Sequence, residues 1–286
     1  MSAFAHVIGD PIAQSKSPLI HRFWLEKLGL NAEYAAQHVV SEGLGEYFRR
    51  HDDIANWRGC NVTMPHKRTV IEHLGRVDEI ASRIGAVNTV YRASDDRLAG
   101  TNTDAAGFLE PLAEDLAQEH YFRMARILGT GGAARAIISA LYDQGFTLVV
   151  AGRDPDKARS LLAELAPAGE HHAVALEHFR HPTDFAFDDR AGCLDLVVNA
   201  TPLGMRGQPT LAFDWSHAPP GAIAYDIVTD PIETPFLKAA RAGGARAIDG
   251  LSMLIGQAAI AFALFFGMAP PRDPDTDAAL KQALLA

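Results

Sequence analysis

The stretch that most constrains this 286-residue chain lies near its middle. Arg126-Ile127-Leu128 reads as a short buried strand, and Gly129-Thr130-Gly131-Gly132 as a tight turn. Residues 133–144 carry helical spacing that Gly145 stops, and Thr147-Leu148-Val149-Val150-Ala151 is a second apolar run. Strand, glycine turn, helix and strand in such quick succession make a βαβ unit, which commits this region to a parallel sheet. The runs at 194–198, 222–227 and 246–248 supply further strands. None alternates apolar with polar, as expected for a parallel sheet buried on both faces.

The turn itself, Gly129-x-Gly131-x-x-Ala134, matches the G-x-G-x-x-A pattern of dinucleotide-binding turns. The first glycine makes the turn, the second lets backbone approach a pyrophosphate, and the small third residue lets helix pack on strand. Free amides and the positive helix end then face the phosphates. The second strand ends in Gly152-Arg153-Asp154-Pro155-Asp156-Lys157. Arg153 suits a ribose 2′-phosphate or a place over the adenine and Lys157 suits the same phosphate, whereas Asp154 repels a phosphate and suits a ribose hydroxyl.

Length and composition narrow the alternatives. The chain is longer than one hydrophobic core comfortably serves, so two domains are expected. Apolar residues at 48% and charged residues at 21% exclude a mainly disordered chain. With 26 basic and 35 acidic residues, 26 − 35 gives a net charge of −9, which excludes a basic nucleic-acid footprint. Two cysteines, Cys60 and Cys193, make neither a disulfide framework nor a metal cluster. The apolar run from Met253 to Met268, interrupted by Gln257, falls short of the roughly 20 residues of a membrane span and reads as a buried helix. The first residues lack a basic start followed by an apolar signal core, so a cytoplasmic protein is expected.

The first hundred residues mix strands, at 5–8, 34–40, 59–63 and 86–91, with helices at 17–28, 42–50 and 66–74. Ser17 reads as an N-cap, Pro18 as the first helical residue and Gly29 as the stop. A helix over 104–119 leads out of this region. Residues 167–192 show no readable pattern.

Polar groups cluster at the ends of these elements. Ser15 and Ser17 at a helix start suit a carboxylate. Asn61-Val62-Thr63-Met64-Pro65-His66-Lys67 places Asn, Thr and Lys beyond a strand's end, where open sheets hold ligands. Lys67 reads as a cation at a helix start, a position the helix dipole opposes, so a functional use is expected. Gly85-Ala86-Val87-Asn88-Thr89 and Gly100-Thr101-Asn102-Thr103-Asp104 repeat the design, with Asp104 reading equally as a helix cap. Gln257 is an amide in an apolar helix and needs partners, either core backbone or a ligand.

Taken together, IGDPIAQSKSP at 8–18, NVTMPHK at 61–67, GAVNT at 85–89, NTD at 102–104, GTGGAAR at 129–135, NATPLGM at 199–205 and DGLSMLIGQAA at 249–259 resemble the shikimate dehydrogenase family, in family order across nearly the whole chain. The resemblance implies a bilobal α/β protein. Residues 1–103 with 250–286 would form an N-terminal α/β substrate lobe, and 104–249 a Rossmann-like, doubly wound dinucleotide-binding lobe, with substrate between them. It implies that Ser15 and Ser17 hold the shikimate carboxylate, that Thr63, Asn88 and Gln257 bind ring hydroxyls, and that Lys67 and Asp104 are the catalytic pair. It further implies that Gly129, Thr130, Gly131, Gly132 and Ala133 cradle the pyrophosphate, and that Arg153, Asp154 and Lys157 meet the adenosine end. Ile227 and Gly250 would lie near the nicotinamide. The implied reaction is the reversible reduction of 3-dehydroshikimate by NADPH, in the shikimate pathway of aromatic amino-acid and chorismate biosynthesis, by a monomer or homodimer that needs no metal.

Two positions depart from the family pattern. The family commonly has Asn-Arg-Thr-x-x-Arg after the second cofactor strand, where this chain has Gly-Arg-Asp-x-x-Lys at 152–157, so NAD stays open beside NADP. A Tyr commonly follows two residues beyond the Ile227 position, where this chain has Thr229, so quinate stays open beside shikimate. The alternatives are therefore a quinate/shikimate dehydrogenase using NAD or both cofactors and, from another class, a non-catalytic dinucleotide-sensing module. The paired serines argue against a dehydrogenase of folate one-carbon units.

Overall fold

The computed structural model of the chain describes residues 2–187 and 190–285. They divide into two compact α/β units, one running to Asp104 and resuming at Ile255, the other spanning Ala105–Leu254.

The first unit is built on β1 (Ala3–Gly9), α1 (Ser17–Lys27), β2 (Ala32–His38), α2 (Leu44–Asp52), β3 (Trp57–Val62), β4 (Arg76–Val77), α3 (Glu79–Ile84), β5 (Thr89–Arg92) and β6 (Leu98–Thr101). Its six strands run in the order β2-β1-β3-β5-β6-β4. The β1–β2, β1–β3 and β4–β6 pairs are parallel, and β5 lies antiparallel to both β3 and β6. One face carries Trp57, Val62, Val70, Val87 and Val90, closed over by Tyr47 and Phe48 of α2. Each such side chain contributes roughly 1.5–3 kcal/mol through burial.

In the second unit α4 (Asp104–Leu109) and α5 (Ala113–Leu116) lead into β7 (Phe122–Leu128), α6 (Gly132–Asp143), β8 (Thr147–Gly152), α7 (Pro155–Leu165), β9 (His172–Ala175), β10 (Cys193–Asn199), β11 (Ile223–Asp226), α8 (Pro235–Ala242) and β12 (Arg246–Ile248). All pairings are parallel, in the order β12-β11-β10-β7-β8-β9. Counted from β7, that is the 3-2-1-4-5-6 order of the doubly wound dinucleotide fold, with its reversal between β7 and β10. Ile127, Val150, Leu196 and Tyr225 fill one face of the sheet, and Leu128, Ala151, Val197 and Ala224 the other. Both faces are buried, as the unbroken apolar runs require.

The buried apolar helix becomes α9 (Gly250–Phe266), followed by α10 (Pro274–Leu285). In the first unit Phe262 of α9 meets Trp24 edge-on, ring centroids 5.6 Å apart. No helix among the described residues is long and apolar enough to cross a membrane.

Several boundaries differ from the sequence-based expectation for physical reasons. The helix expected over 104–119 breaks into α4, a 3-10 turn at Glu110–Leu112 and α5, because Pro111 lacks the amide a continuous helix requires. Residues 66–68 are a turn, and only Thr69–His73 is helical, as a 3-10 segment. Ser17 is the first helical residue rather than the cap: Lys16 occupies the cap position, and the Ser15 hydroxyl accepts from the Ser17 amide at 3.4 Å. The stretch 167–192 holds the unforeseen edge strand β9 and a 3-10 turn at Leu176–Arg180, while its residues 188 and 189 lie outside the described residues.

Gly59 in β3 has φ +137°, and a Cβ there would lie 2.9 Å from the Cα of Tyr91 and overlap the carbonyl of Val90. It is paired with Ala5 and Tyr91 in the middle of the sheet, so neither neighbour is free to retreat. Gly29 has φ +62° with open space around it. Gly59→Ala is therefore expected to destabilise the chain by about 3 kcal/mol or more, and Gly29→Ala by only about 1–2 kcal/mol, in urea denaturation.

Candidate active site

In the first unit the ends of β1, β3, β5 and β6 converge on one polar cluster. The turn after β3 is fastened to β1, because the Thr63 amide donates to Ile8 at 3.0 Å and the Asp10 amide to Met64 at 2.9 Å. The buried His66 ring lies 2.6 Å from the Val39 carbonyl. The Lys67 carbonyl accepts from the Val87 amide at 2.7 Å, which ties this turn to the segment carrying Asn88. Thr63 is half-buried at the start of the turn and Lys67 near its end.

The Lys67 ammonium forms an ion pair with the Asp104 carboxylate, with side chains only 15% and 8% exposed. Lys67 does not stand at a helix start, as its sequence context suggests, but in a turn that leads into a 3-10 segment. The carboxylate, not a dipole, sets the environment of this cation. Asp104 is not a cap either: the Asn102 side chain accepts from the Asp104 amide at 3.1 Å, which leaves the Asp104 carboxylate for Lys67 and Asn88.

Asn88 organises the cluster. Its Nδ2 donates to Asp104 Oδ1 at 2.8 Å and to Thr103 Oγ1 at 2.9 Å, and its Oδ1 accepts from the Thr103 amide at 2.8 Å. That backbone donor settles which way the amide points. Gln257 of α9 completes the group, its Oε1 3.5 Å from both Asn88 Nδ2 and Thr103 Oγ1. Ser15 and Ser17 stand apart from this hydrogen-bonded group, at the start of α1.

Two further residues extend the cluster: Tyr34, which the sequence marks only as the start of a strand, and Thr89, which it marks only as the end of the 85–89 segment. Tyr34 donates to Asn61 Oδ1 at 2.6 Å, Asn61 Nδ2 to Thr89 Oγ1 at 3.0 Å, and Thr89 to Asn88 Oδ1 at 3.0 Å. All four are buried. Nothing in a strand sequence marks which distant residue will complete an amide.

In the second unit the glycine turn sits at the switch between β7 and β10. Gly129 has φ +128°, and a Cβ there would lie 2.6 Å from the Ala200 carbonyl oxygen. A Cβ at Gly131 would meet nothing within 4 Å. Gly131 caps α6, so the amides of Gly132, Ala133 and Ala134 open the helix without helical acceptors. The half-buried Thr130 completes the turn. An open approach, a helix N-terminus and free amides fit a dinucleotide pyrophosphate.

At the end of β8, Arg153, Asp154 and Lys157 are exposed. Asp154 is the N-cap of α7, its Oδ1 accepting from the Asp156 amide at 2.9 Å and the Lys157 amide at 3.4 Å. Ile227 follows β11, and its carbonyl oxygen lies 2.6 Å from where a Gly250 Cβ would stand, which accounts for the glycine. Thr229 is half-buried two residues further on. Among the described residues no group of three or more His, Cys, Asp or Glu is placed to hold a metal ion.

Residues 7–90 match the family model for the shikimate dehydrogenase substrate binding domain, and 250–280 that for the shikimate 5'-dehydrogenase C-terminal domain. The chain is 48% identical over 278 residues to a shikimate dehydrogenase (NADP(+)) of Sphingopyxis alaskensis, covering 96% of this chain and 95% of that one. Among solved structures it is similar to the shikimate 5-dehydrogenase of Thermus thermophilus in complex with NADP(H) and shikimate, at 36% identity and TM-score 0.78, covering 99% and 100% of the two chains. It is also similar to a quinate dehydrogenase of Corynebacterium glutamicum in complex with NAD, at 29% identity and TM-score 0.79, covering 99% of each. With its two sheets, its Lys67–Asp104 pair and these relatives spanning nearly its whole length, the chain belongs to the shikimate dehydrogenase family.

Proposed function

We propose that this protein catalyses the reversible, NADPH-dependent reduction of 3-dehydroshikimate to shikimate in the cytoplasm. The buried Lys67–Asp104 pair, clamped by Asn88, carries the reading. NADPH, when bound, supplies the hydride that adds to the C3 carbonyl carbon.

The protein supplies the proton. As the carbonyl oxygen gains charge, the Lys67 ammonium donates a proton to it, giving the C3 hydroxyl, and takes another from solvent before the next turnover. The same ammonium stabilises the charge while it develops. Asp104 holds Lys67 in place through one oxygen, and Asn88 holds Asp104 through the other. Ser15 and Ser17 bind the substrate carboxylate through their hydroxyls at the start of α1. Thr63, Asn88 and Gln257 bind ring hydroxyls and so fix which carbon faces the hydride donor. In this reading the unit holding Lys67 takes the substrate and the unit holding the glycine turn takes the cofactor.

Gly129 to Ala133 take the pyrophosphate, Ile227 and Gly250 border the nicotinamide, and Arg153 with Lys157 takes the 2′-phosphate. The Asp154 carboxylate is spent on two α7 amides, so it opposes the 2′-phosphate less than its formal charge suggests.

Lys67→Ala is expected to lower kcat by about 10² or more while leaving the shikimate KM within a fewfold, as lost proton transfer predicts. Steady-state rates at 340 nm test this, and near-normal turnover would remove Lys67 from the mechanism. Crossing shikimate and quinate with NADP⁺ and NAD⁺ in the same assay is expected to show preference for shikimate with NADP⁺. Comparable rates with quinate and NAD⁺ would instead establish the dual-specificity alternative, with Thr229 and Asp154 as its cause.

Asp154→Thr keeps a capping oxygen and removes the charge. It is expected to raise the ratio of kcat/KM for NADP⁺ over NAD⁺ by about two- to fivefold, the size of a screened surface charge. Asp154→Ala is expected to shift the ratio equally and to lose about 1 kcal/mol of stability with the cap, as read by thermal unfolding.

A further inference from the structure

Asn199, which opens the NATPLGM segment, has no part in the chemistry above, and Asp226 carries no assigned role at all. Asn199 is the last residue of β10 and Asp226 the last of β11; they are paired in register and both fully buried. Asn199 Nδ2 donates to Asp226 Oδ1 and to the Leu203 carbonyl, each at 3.0 Å. Asn199 Oδ1 accepts from the Thr201 amide at 3.0 Å and the Thr201 hydroxyl at 2.7 Å. Asp226 Oδ1 also accepts from the Val228 amide at 3.0 Å, and Oδ2 accepts from Thr234 at 2.7 Å. Burial pushes the Asp226 carboxyl above its usual range, and these three hydrogen bonds oppose that push.

A buried carboxylate held by neutral donors alone is costly unless every acceptor is used. Here the bonds lead to the two loops that wall the glycine turn and Gly250. Asn199 fixes Ala200 to Leu203, and the Ala200 carbonyl abuts Gly129. Asp226 fixes Val228, and the carbonyls of Ile227 and Val228 abut Gly250. One side-chain pair thus sets the position of both walls.

We infer that Asp226, with Asn199, is a positioning residue for the nicotinamide-ribose end of the cofactor, which it reaches through the Ile227–Val228 and Ala200–Leu203 backbone. The inference rests on the placement of the nicotinamide beside Ile227 and Gly250 proposed above. It separates Asp226 from a residue that merely supports the sheet, because only one end of the dinucleotide depends on it.

The test is isothermal titration of purified protein with NADP⁺ and with adenosine 2′-monophosphate, a probe of the adenosine end that lacks the pyrophosphate. Asp226→Ala is expected to weaken NADP⁺ binding about tenfold, as expected for a lost buried acceptor, and to leave the monophosphate within about twofold. Asp226→Asn keeps an oxygen for Asn199 and Val228 and is expected to restore NADP⁺ affinity to within about threefold. Equal losses for both probes, or none, would overturn the inference. Should Asp226→Ala not fold, as judged by circular dichroism, Asn199→Ala makes the same comparison with the carboxylate in place. Gly131→Val, which blocks the open side of the turn, tests the underlying reading separately. If it leaves NADP⁺ binding intact, the cofactor site itself is misplaced. If it abolishes binding while Asp226→Ala has no effect, only the positioning role falls.

Discussion

Burying the Lys67–Asp104 ion pair is the constraint around which the first unit is arranged. Two charges taken out of water cost several kcal/mol each, and their mutual attraction offsets this only when the remaining hydrogen-bonding capacity is also filled. Asp104 is satisfied on its second oxygen by Asn88, Asn88 is oriented by the Thr103 amide, and the chain Tyr34–Asn61–Thr89 delivers a further donor to Asn88. Every donor in that chain points the same way. Tyr34 has one proton to give, so Asn61 must accept on Oδ1 and donate from Nδ2. Strands β1, β3, β5 and β6 meet at their ends because this set of partners has to meet there. The mixed sheet, with β5 antiparallel between β3 and β6, brings residues 61, 88 and 103 together without long connections.

The second unit solves a different problem with backbone rather than side chains. A parallel sheet buried on both faces leaves its strand ends as the place where polar groups gather, and the reversal of strand order opens a crevice there. Gly129 is needed because the chain leaving β10 passes too close for a Cβ, and Gly131 because the approach in front of α6 must stay open. These two glycines serve opposite ends, one close packing and the other clearance. Asn199 and Asp226 then hold the loops that leave β10 and β11 to the same tolerance, with hydrogen bonds where the glycines use absence of a side chain.

Legibility in the sequence tracks how local the cause is. The βαβ unit, its glycines and the apolar runs of β7, β8, β10 and β11 can be read directly, because periodicity and steric need act within a few residues. β9 leaves no such mark because it is a four-residue edge strand, His172–Ala175, without a buried apolar run. Spacing alone predicts one helix over 104–119, but Pro111 overrides spacing. Lys67 feels no helix dipole because the chain turns at 66–68 instead of starting a helix. Its residue type beside Thr63 and after a strand is the sounder signal. Tyr34, Thr89 and Asp226 act through partners dozens of residues away or across neighbouring strands, and no single-chain pattern encodes such pairs. Asp226 does leave one trace, a carboxylate interrupting the otherwise apolar run 222–227.

The charge conflict at the end of β8 shows how geometry resolves what residue types leave open. Counted as charges, Arg153 and Lys157 are offset by Asp154 and Asp156, and these residue types by themselves favour neither cofactor. Counted as hydrogen bonds they do not cancel. Asp154 turns back to cap α7, as Asp preferentially does at a helix start followed by Pro, while Arg153 and Lys157 remain exposed. An anion arriving at this end meets Arg153 and Lys157, against an Asp154 carboxylate already engaged by two amides and an Asp156 carboxylate paired with Arg159. The Thr that the family commonly places here would cap the same helix without charge. The substitution in this chain therefore changes the field felt by a 2′-phosphate more than it changes the fold.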